Sequence, residues 1–216
     1  MIEAVTKQFQ EPGEVFTTTY PDSELIKPML SKIILDYDVA EQQYHKDPTQ
    51  TTFVNAVKNI GPRPPDTSLK SSHFHKHPSS FRRLFDENEH FKKITDFVLK
   101  TIKEAVPLFP NMDKINNDPY IIDCWGVLYK PNTSKETWTL GLEPHYHWPT
   151  SWAFTYYVDA CKNCAPIVFP NCLDANIHFP ITGLLIIFPG WIAHAVPPHK
   201  CNHNRLSIAG NIAVNL

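Results

Sequence analysis

The chain has 216 residues, 42% of them hydrophobic and 19% charged, with a formal net charge of −2. That length suffices for one well-buried core, and so small a charge gives no bulk attraction to nucleic acid or to an anionic membrane surface. No run approaches the roughly 20 apolar residues of a membrane span, and the start, MIEAVTKQFQEPGEVF, has no basic region ahead of an apolar block, so the sequence reads as a cytoplasmic protein.

In chain order, Leu25, Ile26, Leu30, Ile33 and Ile34 recur near helical spacing over residues 22–45, with Asp22 or Ser23 as the N-cap and Pro28 in the first turns. Residues 46–80 are polar and broken by prolines, as in GPRPPDTSLKSSHFHKHPSS, and read as a long surface loop, a substrate-facing or lid segment. From Ser80 a second helix is expected, with Leu84, Phe91, Ile94, Phe97, Val98 and Ile102 on one stripe and Pro107 as its stop. After Pro119 the texture changes to short apolar runs separated by turn residues: YIIDCWGVLY, TWTLGLEPHYH, WAFTYYV, PIVFPN, GLLIIFP, HAVPP and RLSIAGNIAV. Seven or more short strands in under 100 residues indicate an antiparallel sandwich or barrel. The chain is read as a single domain, with residues 1–118 a helical support and long loop and residues 119–216 a β core.

Eleven histidines are many, but most are poor ligand candidates. His73, His75 and His77 alternate in a polar loop without an evident partner, His45, His90, His199 and His203 read as surface residues, and His178 as a strand-end residue. His145 and His147 differ, because alternation along an extended strand puts both imidazoles on one face. His194 follows the apolar strand GLLIIFP and a tight turn, and eleven residues later Arg205 shares a strand face with Ser207. Such an ordered set is either a metal site or a group of strand-end histidines in a generic β sandwich.

The order of these motifs resembles the non-haem Fe(II), 2-oxoglutarate-dependent oxygenases, and within them a mainly bacterial and phage-borne subgroup that carries H-x-H, with kinship to prolyl-hydroxylase-like domains. The matching stretches are WGVLYKPN (125–132), HYHWPTS (145–151), WAFTYYV (152–158) and the block from Gly183 to Asn211. The resemblance covers about 100 C-terminal residues and implies a mainly β fold with N-terminal helices, its core a double-stranded β-helix, the cupin-like jelly roll. It implies iron ligation by His145, His147 and His194, with Fe(II), 2-oxoglutarate and O₂ as the reacting partners of a hydroxylase. Arg205 matches the arginine that pairs with the far carboxylate of 2-oxoglutarate, a pairing suited to the guanidinium fork. Ser207 would assist it, the hydroxyl of Tyr157 would reach the same carboxylate, and Tyr129 is a candidate for the metal-side end of the cosubstrate. The substrate is left as a small molecule or a residue in a peptide, and the oligomeric state is open. A non-catalytic jelly-roll module that keeps a metal pocket, and a cosubstrate-independent dioxygenase of the cupin type with three histidines, are the competing readings.

Two departures from that pattern matter. His147 stands where most such oxygenases carry Asp or Glu, and Glu143, two residues before His145, is the carboxylate best able to substitute. Phe154 adds bulk where the subgroup has glycine. Five cysteines (Cys124, Cys161, Cys164, Cys172, Cys201), an odd number, point to reduced thiols. CKNC, Cys161 to Cys164, with Cys172 nearby, reads as plain loop thiols, as a redox motif, or as a zinc site whose fourth ligand is His178 or a distant residue such as Cys201. Trp125, Trp138, Trp148, Trp152 and Trp191 read as core packing and pocket lining.

Overall fold

Asn88 starts the second helix: its side-chain oxygen accepts the amides of His90 at 3.0 Å and Phe91 at 3.3 Å, occupying donors that a helix N-terminus leaves without partners. The computed structural model describes residues 6–8, 15–46, 88–105, 118–130, 142–170 and 176–214. The helices are α1 (Ser23–Lys46) and α2 (Glu89–Ala105). The strands are β1 (Thr6–Gln8), β2 (Val15–Thr19), β3 (Pro119–Tyr129), β4 (Leu142–His145), β5 (Trp152–Asp159), β6 (Ile167–Phe169), β7 (Asn176–His178), β8 (Leu184–Pro189), β9 (His194–Val196) and β10 (Arg205–Val214). The cap at Asn88 sets the helix start later than the spacing from Ser80 suggests. Leu84, and the loop with His73, His75 and His77, lie outside the described residues.

The strands form two antiparallel sheets, a six-stranded one in the order β1-β2-β8-β5-β10-β3 and a four-stranded one in the order β4-β9-β6-β7. Among the described residues this is a mainly β jelly roll carrying two helices. β10 lies at the centre of the larger sheet, pairing with β3 from Arg205↔Tyr129 to Val214↔Pro119 and with β5 from Leu206↔Asp159 to Ile212↔Trp152. The N-terminal part supplies strands as well as helices: β2 pairs with β8, Phe16 opposite Ile187. The run of β-branched and aromatic residues from Val15 to Thr19 is its sequence signal.

Cores form on both faces of the large sheet. On the outer face, Ile26, Leu30 and Ile34 of α1 and Phe91, Ile94, Val98 and Ile102 of α2 pack against Cys124, Leu128, Tyr156, Leu206, Ile208 and Ile212. Each fully buried aliphatic or aromatic side chain there contributes roughly 1.5–3 kcal/mol of transfer free energy. Inside the roll, Ala153, Tyr157, Ile167, Phe169, Ile186 and Phe188 form a smaller cluster. Period-two alternation divides each central strand between these faces. Thus Leu206, Ile208 and Ile212 face the helices, while Arg205, Ser207, Ala209 and Asn211 line an interior cavity. Among the described residues no helix is long and apolar enough to cross a membrane.

Candidate metal centre and anion pocket

Three imidazoles meet at the mouth of the roll. His145 ends β4 and His194 opens β9, directly opposite each other in the ladder. His147 lies past the end of β4, so the shared strand face expected for the pair is not what aligns them. A turn does that: the His147 amide donates to the Gly190 carbonyl at 2.7 Å, and the amide and hydroxyl of Thr150 close onto the His147 carbonyl at 2.9 and 2.6 Å. Gly190 has no side-chain room, since a Cβ there would stand 2.1 Å from the Thr150 carbonyl oxygen.

The ligand atoms of His145, His147 and His194 all fall within 4.8 Å of one another, and the two Nε2 atoms of His147 and His194 are 3.4 Å apart. Nδ1 of His145 donates to the Glu143 carbonyl at 2.9 Å. A carbonyl only accepts, so the proton is on Nδ1 and Nε2 keeps its lone pair for a metal. Burial pulls His145 below its usual 6.5, against the opposing effect of that carbonyl bond. Burial, then the neighbouring imidazoles of His145 and His147, hold His194 well below it. Aromatic packing fixes the rings: Trp125 stacks on His147 at 6.0 Å, and Phe188 lies 4.7 Å from His194. The Glu143 carboxylate is exposed and outside this cluster, because the ladder is irregular between Leu142 and His145 and simple alternation does not hold there.

The cavity holds about 330 Å³ and runs from these histidines to Arg205, Ser207 and Tyr129. Arg205 opens β10 and is 3% exposed. Its Nη2 donates to the Tyr157 hydroxyl at 3.2 Å, and the guanidinium lies 4.7 Å from the Tyr129 ring centre and 5.0 Å from that of Tyr157. Burial opposes its charge, but Tyr157 and Tyr129 outweigh that, so it stays a cation. Its Nε has no hydrogen-bond partner, and among the described residues no carboxylate forms an ion pair with it. A buried, uncompensated guanidinium is costly unless an anion completes it. Asn211, on the same strand face, likewise leaves its side-chain oxygen without a partner in the cavity wall.

The structure thus brings His145, His147, His194, Arg205, Ser207 and Tyr129 around one cavity. Tyr157 is placed one layer back, fully buried, with its hydroxyl on Arg205 rather than on the wall. Tyr129 is not at the metal side: it pairs with Arg205 across the ladder, and its ring neighbours are Arg205 and His199. His199 is a correction of another kind, since it is fully buried rather than on the surface. Its Nδ1 accepts the Ala165 amide at 3.3 Å and its Nε2 donates to the His203 carbonyl at 2.9 Å, which satisfies both nitrogens of a neutral ring. Trp125 lines the cavity and Trp152 is core, but Trp148 and Trp191 are 75% and 50% exposed, against the packing role expected of them; Trp138 lies outside the described residues. Asn211 and Trp125 are the cavity residues that motif reading singled out least. Their signal is the alternation 205, 207, 209, 211 on β10 and 125, 127, 129 on β3.

No protein-family model matches the sequence, and no curated protein matches it. Solved structures do match the fold. A prolyl-4-hydroxylase from Pseudomonas putida superposes with a TM-score of 0.53 over 93% of this chain and 92% of that one, at 13% identity. The chain has the fold of a prolyl-4-hydroxylase. AviO1 from Streptomyces viridochromogenes Tue57 shares that fold, with a TM-score of 0.53 over 92% of this chain and 89% of its own at 10% identity. A 2OG-Fe(II) oxygenase-family oxidoreductase from Burkholderia pseudomallei overlaps more loosely, with a TM-score of 0.41 and 14% identity, and the chain spans 56% of its length. The double-stranded β-helix fold is therefore established by likeness, while the chemistry rests on the cavity.

Proposed function

We propose that this chain is an Fe(II)- and 2-oxoglutarate-dependent dioxygenase, acting as a hydroxylase. One joint observation supports the reading: a converged set of three imidazoles and a buried guanidinium without a carboxylate partner among the described residues stand around one cavity. Imidazole nitrogens suit Fe(II), and the orphaned Nε of Arg205 suits an organic carboxylate. Three neutral donors leave a ferrous ion with its full double charge, one unit more than a site containing Asp. A dianionic cosubstrate offsets that charge, so His147 in place of a carboxylate favours a ligand such as 2-oxoglutarate.

When bound, iron, 2-oxoglutarate and O₂ supply oxidative decarboxylation to succinate and CO₂, with one oxygen atom entering a C–H bond of the substrate as a hydroxyl. His145, His147 and His194 would hold the metal on one side, leaving the cavity side open. Arg205 would take the far carboxylate, with Ser207 and the Tyr129 hydroxyl beside it and Tyr157 fixing the guanidinium from behind. Trp125, Phe154, Phe188 and Val196 keep the intervening wall apolar, which limits water at the reacting end. A volume near the lower end of the about 300–1,000 Å³ usual for ligand clefts leaves little room beyond the cosubstrate. The substrate would therefore be a small molecule, or a peptide offering one side chain, that presents a single group to the cavity.

The lack of a carboxylate in the cluster among the described residues also favours a second reading, a three-histidine dioxygenase without cosubstrate. Anaerobic titration of the full chain with Fe(II) and then 2-oxoglutarate separates the two. The weak visible charge-transfer band of a chelated 2-oxo acid is expected. Iron binding without that band, and without any uncoupled 2-oxoglutarate consumption in air, would sink the proposal.

A further inference from the structure

A second cluster of metal-ligating groups stands apart from the histidines. Cys161 and Cys164 lie in the connection from β5 to β6, and Cys201 in that from β9 to β10. Sγ of Cys161 is 3.6 Å from that of Cys164 and 3.4 Å from that of Cys201, and all three sulphurs lie within 4.8 Å of one another. A disulfide requires about 2.05 Å, so none of these pairs is bonded. Ligands of one tetrahedral ion at a metal–sulphur distance of about 2.3 Å are separated by about 3.8 Å, close to the two shorter spacings here.

The backbone around the sulphurs is arranged as a cradle for negative charge. The Cys164 amide closes the turn onto the Cys161 carbonyl at 2.9 Å. The Cys161 amide points at the Cys164 sulphur and the His203 amide at the Cys201 sulphur, each at 3.4 Å, while the Asn163 amide faces the Cys161 sulphur. A thiol is a weak acceptor, and N–H groups aimed at every sulphur favour the thiolate that a metal binds. Burial works against this at Cys164, whose thiol it pushes up to about 12.

We propose that Cys161, Cys164 and Cys201 bind a thiophilic divalent ion of the zinc class, in a site independent of the histidine cluster. Among the described residues neither His178 nor His203 joins the sulphurs; the His203 ring is turned to the Asp159 carboxylate at 3.1 Å, and Cys172 lies outside the described residues. Cys164 is buried, whereas Cys161 and Cys201 are half-buried and give the ion an entry path. The ion ties together two connections that end at the anion pocket, since Cys201 precedes Arg205 by four residues and Cys161 follows Asp159 by two. Its role is to hold the start of β10, and with it Arg205, in register.

Cobalt(II) titration of the full, reduced chain tests the site. A near-ultraviolet thiolate-to-cobalt charge-transfer band is expected in the wild type, retained in His145→Ala and His194→Ala, and lost in Cys201→Ser. Zinc content by mass spectrometry of the metal is expected to fall by one ion per chain in Cys201→Ser. A wild-type readout covers the case in which that variant does not fold: bound zinc should shield Cys161, Cys164 and Cys201 from alkylation until a chelator is added. Absence of the band in the wild type, its persistence in Cys201→Ser, alkylation indifferent to zinc, or a Cys161–Cys164 disulfide in the reduced preparation would each overturn the proposal.

Discussion

The two ends of the cavity are built by opposite means. Arg205 stands at the start of β10, a ten-residue strand laddered on both sides to β3 and β5 in the large sheet. The histidines come from β4 and β9, strands of four and three residues in the small sheet, and from a turn held by Gly190 and Thr150. Arg205 is buried and packed between tyrosine rings, while His145 and His147 are half-buried at the mouth. A rigid anchor for one partner thus faces a metal end that depends on a few short contacts. Perturbations should separate them, with ligand binding failing at one end without failing at the other.

The largest effect is expected at the anchor. Breaking a buried charge pair by removing one partner costs about 3–5 kcal/mol, or roughly 10²- to 4 × 10³-fold in affinity. Arg205→Gln should therefore weaken 2-oxoglutarate binding by about that factor in anaerobic calorimetry, with Fe(II) affinity changed by less than about threefold. Arg205→Lys keeps the charge and loses the fork, so it should recover only part of the binding. Equal losses of iron and cosubstrate in Arg205→Gln would show that the ends are not independent.

At the metal end the contrast between His147 and Glu143 is the sharpest. His147→Ala removes a ligand and should cost more than about 100-fold in Fe(II) affinity, above the range for outer-shell losses. Glu143→Gln alters an exposed side chain and should shift metal affinity and stability by about 0.5 kcal/mol at most. A metal site that survives His147→Ala and fails in Glu143→Gln would reverse the assignment. Gly190→Ala should come next in size. The new methyl collides with the Thr150 carbonyl, so the turn carrying His147 must shift at a cost of about 1–3 kcal/mol. Reduced Fe(II) affinity with 2-oxo acid binding preserved in a metal-loaded sample is the expected signature.

Much of this contrast is legible in the sequence, but unevenly. The shared face of Arg205 and Ser207 was readable because long central strands obey period two, which carries on to Asn211; the place of Tyr129 beside Arg205 was not, because it depends on how β3 registers with β10. The fold class was readable from the spacing of short apolar runs, and His145 and His194 from their strand-end contexts. What escaped depends on local irregularity or on distant segments meeting. A bend in the β4 ladder turns the Glu143 side chain outward, and a turn rather than a strand brings His147 to the cluster. The burial of His199 follows from the Ala165 amide of another loop and the His203 carbonyl of its own, both of which it satisfies. Cys201 is 40 residues from Cys161, and no spacing rule singles it out over His178. The exposure of Trp148 and Trp191 is equally invisible to composition, because a lone apolar residue has no period to place it.

The smallest expected effect is one of pH, and it tests whether the small sheet is the softer half. His178 ends β7, with its Nε2 buried and unpartnered and its ring edge-on to Phe169 at 5.8 Å. Burial lowers its pKa below the usual 6.5. The unfolded chain therefore takes up this proton before the folded one does. Stability is fully present above about 6.5 and falls as the pH drops through that value toward the folded pKa. Each such proton contributes at most about 1.4 kcal/mol per pH unit within that window. His145 and His194 add slope of the same sign, so the test is a difference. In metal-free protein, the urea midpoint should drop from about pH 7.5 to about pH 5.5, and drop less in His178→Phe, which keeps the ring contact and removes the titration. Identical slopes in the two proteins would show that the proton at β7 is not linked to folding. Arg205, which stays charged through the whole range, should carry the anchor unchanged while the small sheet loosens around the metal end.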